Sequence, residues 1–353
     1  SLEALRAARL SHTRHFLAWD YGLDILLSVT PNGILLAEGD FNTMPIYYLQ
    51  HVAGRRPDVD HVTTVFLSTD WGSAHARALQ PRLGLGVLPK ASTGARAGDG
   101  QVLRAAIGQI AAANMGRRPI QSSLFREELD RAVPEWKGQW KPYGLAAQIN
   151  GPDGPAEEKA RLGLLKAFRT RHLELDRDQL APSPAFALSN YGTAFLDTAN
   201  GLRNQGRVRP ALPLYAQAVQ WTSRPNLAEA YTHWGIALAA GGKDQAPDLD
   251  AAAAKFQRAL QVKPLFEAYA NLAGVRNQQG QAKHDPQDYV LAEAAARKAL
   301  AMFDGNAQAA NNLAIALYYQ GKNSEALQVL QRAAQLAPQD AQIQANLRAL
   351  SPH

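Results

Sequence analysis

Gly39-Asp40-Phe41-Asn42-Thr43-Met44-Pro45-Ile46-Tyr47-Tyr48-Leu49-Gln50 follows the apolar run Gly33-Ile34-Leu35-Leu36-Ala37 and precedes the turn-rich segment Ala53-Gly54-Arg55-Arg56-Pro57-Asp58-Val59. A short buried strand that closes on Gly-Asp and opens into a helix places polar side chains at the carboxyl end of a sheet. That edge is where open α/β folds bind ligands. The helix is expected to begin at Thr43 or Pro45, because Thr43 can accept the free N–H groups of a first turn and proline is tolerated there.

Outward from this stretch the chain keeps an α/β rhythm. Upstream, Leu2 to about Ser28 carries Leu5, Ala8, Leu17, Trp19, Ile25 and Leu26 among charged residues, the pattern of one helix, with a break expected at Gly22. Thr30-Pro31-Asn32-Gly33 is a turn by composition. Downstream, His61-Val62-Thr63-Thr64-Val65-Phe66-Leu67 is β-branched and nearly continuous, as a strand covered on both faces should be, and it ends in Ser68-Thr69-Asp70-Trp71. Arg77 to Gly100, with many Gly and Pro, reads as loops around one short strand. Gln101 to Asn114 is an amphipathic helix. Arg117 to Ser123 is a third strand, Phe125 to Val133 a short helix, and Gly144 to Ile149 a fourth strand. Alternating strands and helices specify a parallel or mixed sheet with Rossmann-like character over residues 1–150. Asn150-Gly151-Pro152-Asp153-Gly154-Pro155 is linker-like, and a charged helix, Ala156 to about Asp178, fills the connecting region 151–182.

From 183 to 353 the chain repeats. Trp234-Gly235-Ile236-Ala237-Leu238 is followed by Ala252, Phe256, Ala259 and Pro264; Leu313-Ala314-Ile315-Ala316-Leu317 is followed by Gly321, Ala326, Leu330, Ala333 and Pro338. Small residues at these spacings let paired helices approach, large ones fill the gaps, and the prolines end the second helix. The pattern resembles the tetratricopeptide repeat (TPR), with its period of about 34 residues. Two weaker copies run from Phe195 to Ala218 and from Tyr269 to Ala299, and Ala341 to Leu350 reads as a capping helix, so an all-α solenoid of about four repeats plus a cap is expected. The second and third repeats carry extra residues around Lys243 to Asp248 and Gln281 to Gln287.

The composition narrows the function. At 46% hydrophobic and 19% charged over 353 residues the chain is globular. Its net charge of +6 is spread along both halves without a basic run interleaved with aromatics, so nucleic acid is not an expected partner. There is no cysteine, which removes disulfides, thiol chemistry and Cys-ligated zinc and suits an oxidising compartment. No window approaches the roughly eighteen apolar residues of a membrane span. Neither H-E-x-x-H, G-x-S-x-G nor a Walker A loop occurs, the histidines show no metal spacing, and no cofactor is indicated.

Two sets of candidate binding residues remain. At the sheet edge Asp40, Asn42, Asp70 and Trp71 combine carboxylates, an amide and an indole, a set suited to a sugar or nucleotide; the competing reading makes Asp40 and Asn42 helix caps and Trp71 a core plug. In the solenoid, the first helix of each repeat lines the concave face, which should present Asn200, Arg203, Asn204, Asn271, Asn277, Gln278, Asn312 and Tyr319. Such an amide-rich groove can bond an extended peptide backbone. It lacks the Lys/Arg set of TPRs that clamp a terminal carboxylate. The solenoid could instead serve purely as a scaffold for complex assembly.

The Gly39-to-Gln50 run, Gly54-Arg55-Arg56-Pro57-Asp58-Val59, Asn114-Met115-Gly116-Arg117-Arg118-Pro119-Ile120 and Tyr143-Gly144-Leu145-Ala146 together resemble the soluble segment of large bacterial membrane proteins. These carry a multi-spanning glycosyltransferase-C domain related to the transmembrane protein O-mannosyltransferases, and several end in TPRs. The resemblance covers about residues 15–150 and departs at Gln121, where the family more often has an aromatic. It implies a transmembrane portion preceding this chain, a periplasmic or extracytoplasmic location, and a role in protein O-glycosylation with an acceptor protein in the TPR groove. The family's catalytic carboxylates lie in loops between membrane helices, so no residue here is expected to be catalytic.

Overall fold

The computed structural model describes residues 17–64, 67, 72–86, 100–123, 129–131, 133–152, 155–169, 182–222 and 224–350. The chain divides into two compact units, Ser1–Thr198 and Ala199–His353.

The first unit is built on a mixed five-stranded sheet. Its elements are α1 (Leu17–Leu27), β1 (Ile34–Ala37), α2 (Asp40–His51), β2 (Asp60–Thr63), α3 (Gly72–Leu83), α4 (Gly100–Asn114), β3 (Ile120–Ser122), β4 (Trp140–Tyr143), β5 (Ala146–Ile149) and α5 (Pro155–Ala167). The strand order is β2-β1-β3-β5-β4. β1 is an interior strand, wholly buried, and pairs in parallel with β2 (Ile34 opposite Asp60) and β3 (Ile34 opposite Ile120). β5 joins antiparallel to β3 and makes a hairpin with β4. The parallel part is therefore three strands with a β1-α2-β2 crossover, and the far edge is an antiparallel hairpin. The sheet is mixed, and its five strands do not build the longer parallel order of a Rossmann-like domain.

Burial on both faces explains the unbroken apolar run of β1. Ile34 and Leu36 pack with Val62, Ile107, Ile110, Ile120, Trp136 and Trp140. Alternation turns Leu35 to the opposite face; Ile25 and Leu26 of α1 and Ile46 and Leu49 of α2 are fully buried as well.

Several expectations change. α1 runs unbroken through Gly22. That glycine serves packing, since a Cβ there would lie 2.8 Å from Pro45 Cβ and 2.9 Å from Leu49 Cδ1 on α2. α2 begins at Asp40 rather than Thr43 or Pro45, with Gly39 as its N-cap at φ 80°, a conformation that favours glycine. Thr43 does not cap: its hydroxyl donates back to the Gly39 carbonyl at 3.0 Å. Pro45 lies inside the helix, where it removes the N–H that would reach Phe41. Residues 72–83 are helical rather than looped, and 87–99, with the short strand expected near them, lie outside the described residues. β2 ends at Thr63, so the expected strand to Leu67 is shorter. β4 was not anticipated. Its Pro142 reads as a breaker, yet an edge strand accommodates a residue without an N–H. Of the expected connecting helix, Pro155–Ala167 is described and 170–181 lie outside.

The helical repeats follow. The pairs are α6 (Pro182–Asn204) with α7 (Val208–Trp221), α8 (Arg224–Ala240) with α9 (Leu249–Val262), α10 (Phe266–Lys283) with α11 (Pro286–Met302), and α12 (Ala307–Tyr319) with α13 (Asn323–Leu336); α14 (Ala341–Leu350) follows. This is a TPR-like helical solenoid. The division between the two units falls within α6. The repeat signature has direct physical causes. A Cβ on Gly235 would stand 2.7 Å from the Phe256 ring, and one on Gly280 2.7 Å from the Tyr289 ring, so each first helix yields to an aromatic of its partner. Ala252, Ala259, Ala314, Ala326 and Ala333 are fully buried. The extra residues at Gln281 to Lys283 lengthen α10 rather than looping out. Those at Lys243 to Asp248 form a loop that docks on the preceding turn, Lys243 N donating to the Gly206 carbonyl at 2.8 Å.

Candidate functional site

The sheet edge is held by internal bonds. Asn42 is buried; its Oδ1 accepts from the Tyr21 hydroxyl at 2.8 Å and its Nδ2 donates to the Glu38 carbonyl at 2.8 Å. Asn190 Nδ2 in turn donates to the Tyr21 oxygen at 2.5 Å. Both ends of the Asn42 amide are thus spent on joining α1, the β1–α2 turn and the first half of α6. Asp40 is the first residue of α2, and its side chain is outside what the structure describes, as are Asp70 and Trp71 altogether. One turn along α1 from Tyr21, buried Asp24 accepts from Tyr191 Oη at 2.9 Å, Arg169 N at 2.7 Å and Arg169 Nη1 at 3.1 Å. Burial is the largest influence on this carboxyl and pushes its pKa above the usual 3.8, although the Arg169 and Tyr191 donors pull the other way. The nearby cavity, touching Ser122, Ser123, Asn190 and Thr193, has a volume of about 80 Å³. That is room for a few waters, well below the several hundred Å³ of a typical ligand pocket.

The larger cavity belongs to the C-terminal unit. It measures about 670 Å³ and is walled by α10, α12 and α14. Of the eight residues expected along the groove it brings together Asn271, Asn277, Gln278, Asn312 and Tyr319. The other three face elsewhere. Asn200 accepts from the Tyr215 hydroxyl at 2.8 Å, and Arg203 Nη2 donates to Asn204 Oδ1 at 3.1 Å. The cavity also takes in Gln281, Gln308, Asn311, Tyr318, Gln342 and Asn346, which sequence reasoning missed. Gln281 stands four residues after Asn277 on the same helix face, a spacing that could have flagged it. Asn346 lies on the cap, where the repeat pattern no longer applies.

The amides do two kinds of work. Asn277 Nδ2 donates to the Asn312 carbonyl at 2.8 Å, Asn312 Nδ2 to the Ala270 carbonyl at 3.0 Å, and Asn346 Nδ2 to Asn311 Oδ1 at 2.8 Å. These bonds stitch α10 to α12 and α12 to α14. Asn271 Nδ2 returns to the Glu267 carbonyl of its own helix. Gln278, Tyr318 and Tyr319 are exposed at the rim, and Tyr319 stacks on Tyr289 with ring centroids 4.6 Å apart at 12°. Among the described residues, none that lines the cavity is charged. The site therefore offers neutral donors, neutral acceptors and flat rings. It presents no nucleophile–base pair, and among the described residues no cluster of His, Cys, Asp or Glu could hold a metal. Among those residues, too, no helix is long and apolar enough to cross a membrane.

Comparison with known proteins bears on each unit. The family model of the TMEM260-associated domain 2 matches residues 18–78, within the sheet unit. A tetratricopeptide-repeat model matches residues 307–340, which contain α12 and α13. No curated protein matches the chain. Among solved structures, MamA 41-end from Desulfovibrio magneticus RS-1 is 20% identical, with a TM-score of 0.38 over 45% of this chain and 82% of that one. The TPR2AB-domain:pHSP90-complex of yeast Sti1 is 15% identical, with a TM-score of 0.20 over 55% of this chain and 76% of that one. Neither overlap reaches a TM-score of one half, so the repeat assignment rests on the matched motif and on the helix pairs themselves.

Proposed function

We propose that the C-terminal repeats are a protein-binding module that holds an uncharged stretch of polypeptide in the α10–α12–α14 cavity. The observation that carries this is the lining: amides and tyrosines beside a few aliphatic side chains, with no charged side chain among the described residues, around a space of about 670 Å³. Amide side chains pair with peptide N–H and C=O groups, and tyrosine faces take up the apolar parts of a chain. A capture experiment tests it. The chain and a Gln278→Lys/Tyr319→Ala variant are used as baits against an extracytoplasmic protein fraction. The partner of the parent chain should be lost from the variant while both retain the same helical melting curve. Equal capture by both would overturn the assignment.

In the fuller reading, the module works beside a membrane glycosyltransferase. Residues 1–150 form an α/β domain on the extracytoplasmic side, 151–182 connect, and 183–353 present the acceptor protein. Two observations support it: the resemblance carried by Gly39–Gln50, and the match over residues 18–78 to a domain described as associated with another protein. Catalysis is assigned outside this chain. Asn42, bonded at both ends of its amide, acts as a structural tie in this reading. Co-purification of the native protein with a membrane-embedded glycosyltransferase polypeptide, linked or separate, is the expected result; recovery entirely in the soluble fraction alone would refute that placement.

A further inference from the structure

We infer that the C-terminal cavity selects an internal, charge-free segment of polypeptide that donates a hydrogen bond to Asn277. The inference rests on the reading of this unit as a peptide-binding module and adds what that peptide must carry.

Asn277 is 3% exposed and lies in the cavity wall. Its Nδ2 donates to the Asn312 carbonyl at 2.8 Å, which fixes the two ends of the amide, since a carbonyl can only accept. Oδ1 is then the end left over. It is buried and has no hydrogen-bond partner among the described residues. A buried acceptor without a donor is costly and rare in folded proteins. A ligand N–H or O–H reaching this oxygen would remove that cost, so binding is rewarded at this atom in particular.

The surroundings say what the donor belongs to. Gly274, one turn earlier on the same helix, has no side chain, and a Cβ there would stand 3.2 Å from Asn312 Nδ2. The glycine makes room there for the Asn312 amide, which lines the same wall as Asn277. Tyr318 and Tyr319, 42% and 49% exposed, offer ring surfaces at the rim. With no Lys, Arg, His, Asp or Glu among the described lining residues, a charged side chain or a free terminal carboxylate would shed its hydration and meet no counter-charge there. Discrimination thus comes from exclusion as much as from attraction. A chain end is disfavoured for the same reason, which points to an internal segment.

The test is selection of random peptides, displayed with carrier sequence on both sides so that neither terminus is free, on the whole chain. Enriched peptides should be depleted of Asp, Glu, Lys and Arg at their centre. A synthetic copy with acetylated and amidated ends should bind, and one central Glu or Lys should weaken it at least about tenfold, the scale of a hydrogen bond lost in a dry site. With asparagine selectively labelled with nitrogen-15, the Asn277 side-chain amide pair, assigned by its loss in Asn277→Ser, should shift on peptide addition while the Asn204 pair stays put. Enrichment of charged peptides, or tight binding with the Asn277 pair unmoved, would overturn this inference and leave the protein-binding reading intact. No enrichment at all, or stabilisation by neutral trisaccharides and not by peptides, would overturn both.

Discussion

Gly235 and Gly280 show how little room the repeat leaves. Each meets an aromatic ring of the second helix at 2.7 Å from where a Cβ would be. Gly235→Val should therefore destabilise the C-terminal unit by about 1–3 kcal/mol, the usual cost of forcing atoms into a packed core, read as a lower denaturant midpoint with an unchanged slope. Glu293 makes a different, pH-dependent contribution. Its carboxylate accepts from Lys322 Nζ at 2.7 Å, Arg297 Nε oxygen-to-nitrogen at 2.9 Å and Gln320 Nε2 at 2.9 Å. Burial is the largest single influence on it and pushes the pKa up. The Lys322, Arg297 and Gln320 donors together outweigh burial and hold it at about 2, against an ordinary 4.5. Because the folded value lies below the unfolded one, the stabilisation is complete above pH 4.5 and is lost as pH falls from there towards 2. Glu293→Gln should flatten the acid limb of a stability-against-pH curve over that interval. A variant with the same acid sensitivity as the parent would show that other carboxylates govern it.

Among the elements, α7 is unusual in borrowing its cap. Its own N-cap, Arg207, offers no side-chain acceptor; Asp244, from the loop after α8, accepts from Val208 N at 2.9 Å and Arg209 N at 3.2 Å. A carboxylate there satisfies two free N–H groups and complements the positive end of the helix. Asp244→Ala should cost about 1 kcal/mol in thermal or denaturant unfolding and Asp244→Asn less, since the amide keeps an acceptor. The repeat helices were legible in the sequence because their signal is steric: glycine or alanine facing an aromatic at fixed spacing, with proline just beyond, as in Gly235, Phe256 and Pro264. The sheet was legible at β1, β3 and β5, which lie inside expected strands, and in part at β2. β1 could be read directly. β4 could not, since Trp140-Lys141-Pro142-Tyr143 is short and holds a proline that only its edge position excuses. α3 was read as loop because Pro81 sits in its last turn. Asp244 had the look of one more polar loop residue, because capping across repeats depends on where the loop lands.

At the scale of the whole molecule, the solenoid is closed and stitched from one end. Ala310, Ala314, Leu330, Ala333 and Ala334 are covered together with Ile343 of α14. Deleting 341–353 would uncover that cluster and remove the Asn346–Asn311 bond. The amides of α12 and α13 should then exchange with solvent about tenfold or more faster, with those of α8 and α9 little changed, because neighbouring repeats share stability only pairwise. The candidate site was partly legible for the same reason. Repeat position foretold that Asn271, Asn277, Gln278, Asn312 and Tyr319 would meet on one face. It could not foretell that the Asn277 and Asn312 amide nitrogens would bond between α10 and α12, since that depends on the distance between repeats. Asn200, Arg203 and Asn204 occupy equivalent positions, and their nearest partners lie within their own repeat.

The borrowed cap has an evolutionary consequence. Arrays of this kind usually grow and diversify by copying or exchanging units. Here the second unit carries the piece that closes the first, and a duplicated or transplanted second unit would bring an aspartate loop to a helix that had not been left open for it. The first two repeats are consequently ordered, the second addressed to the first. A chimera that moves 224–262 elsewhere in the array should fold less well than one that moves 182–262 as a block.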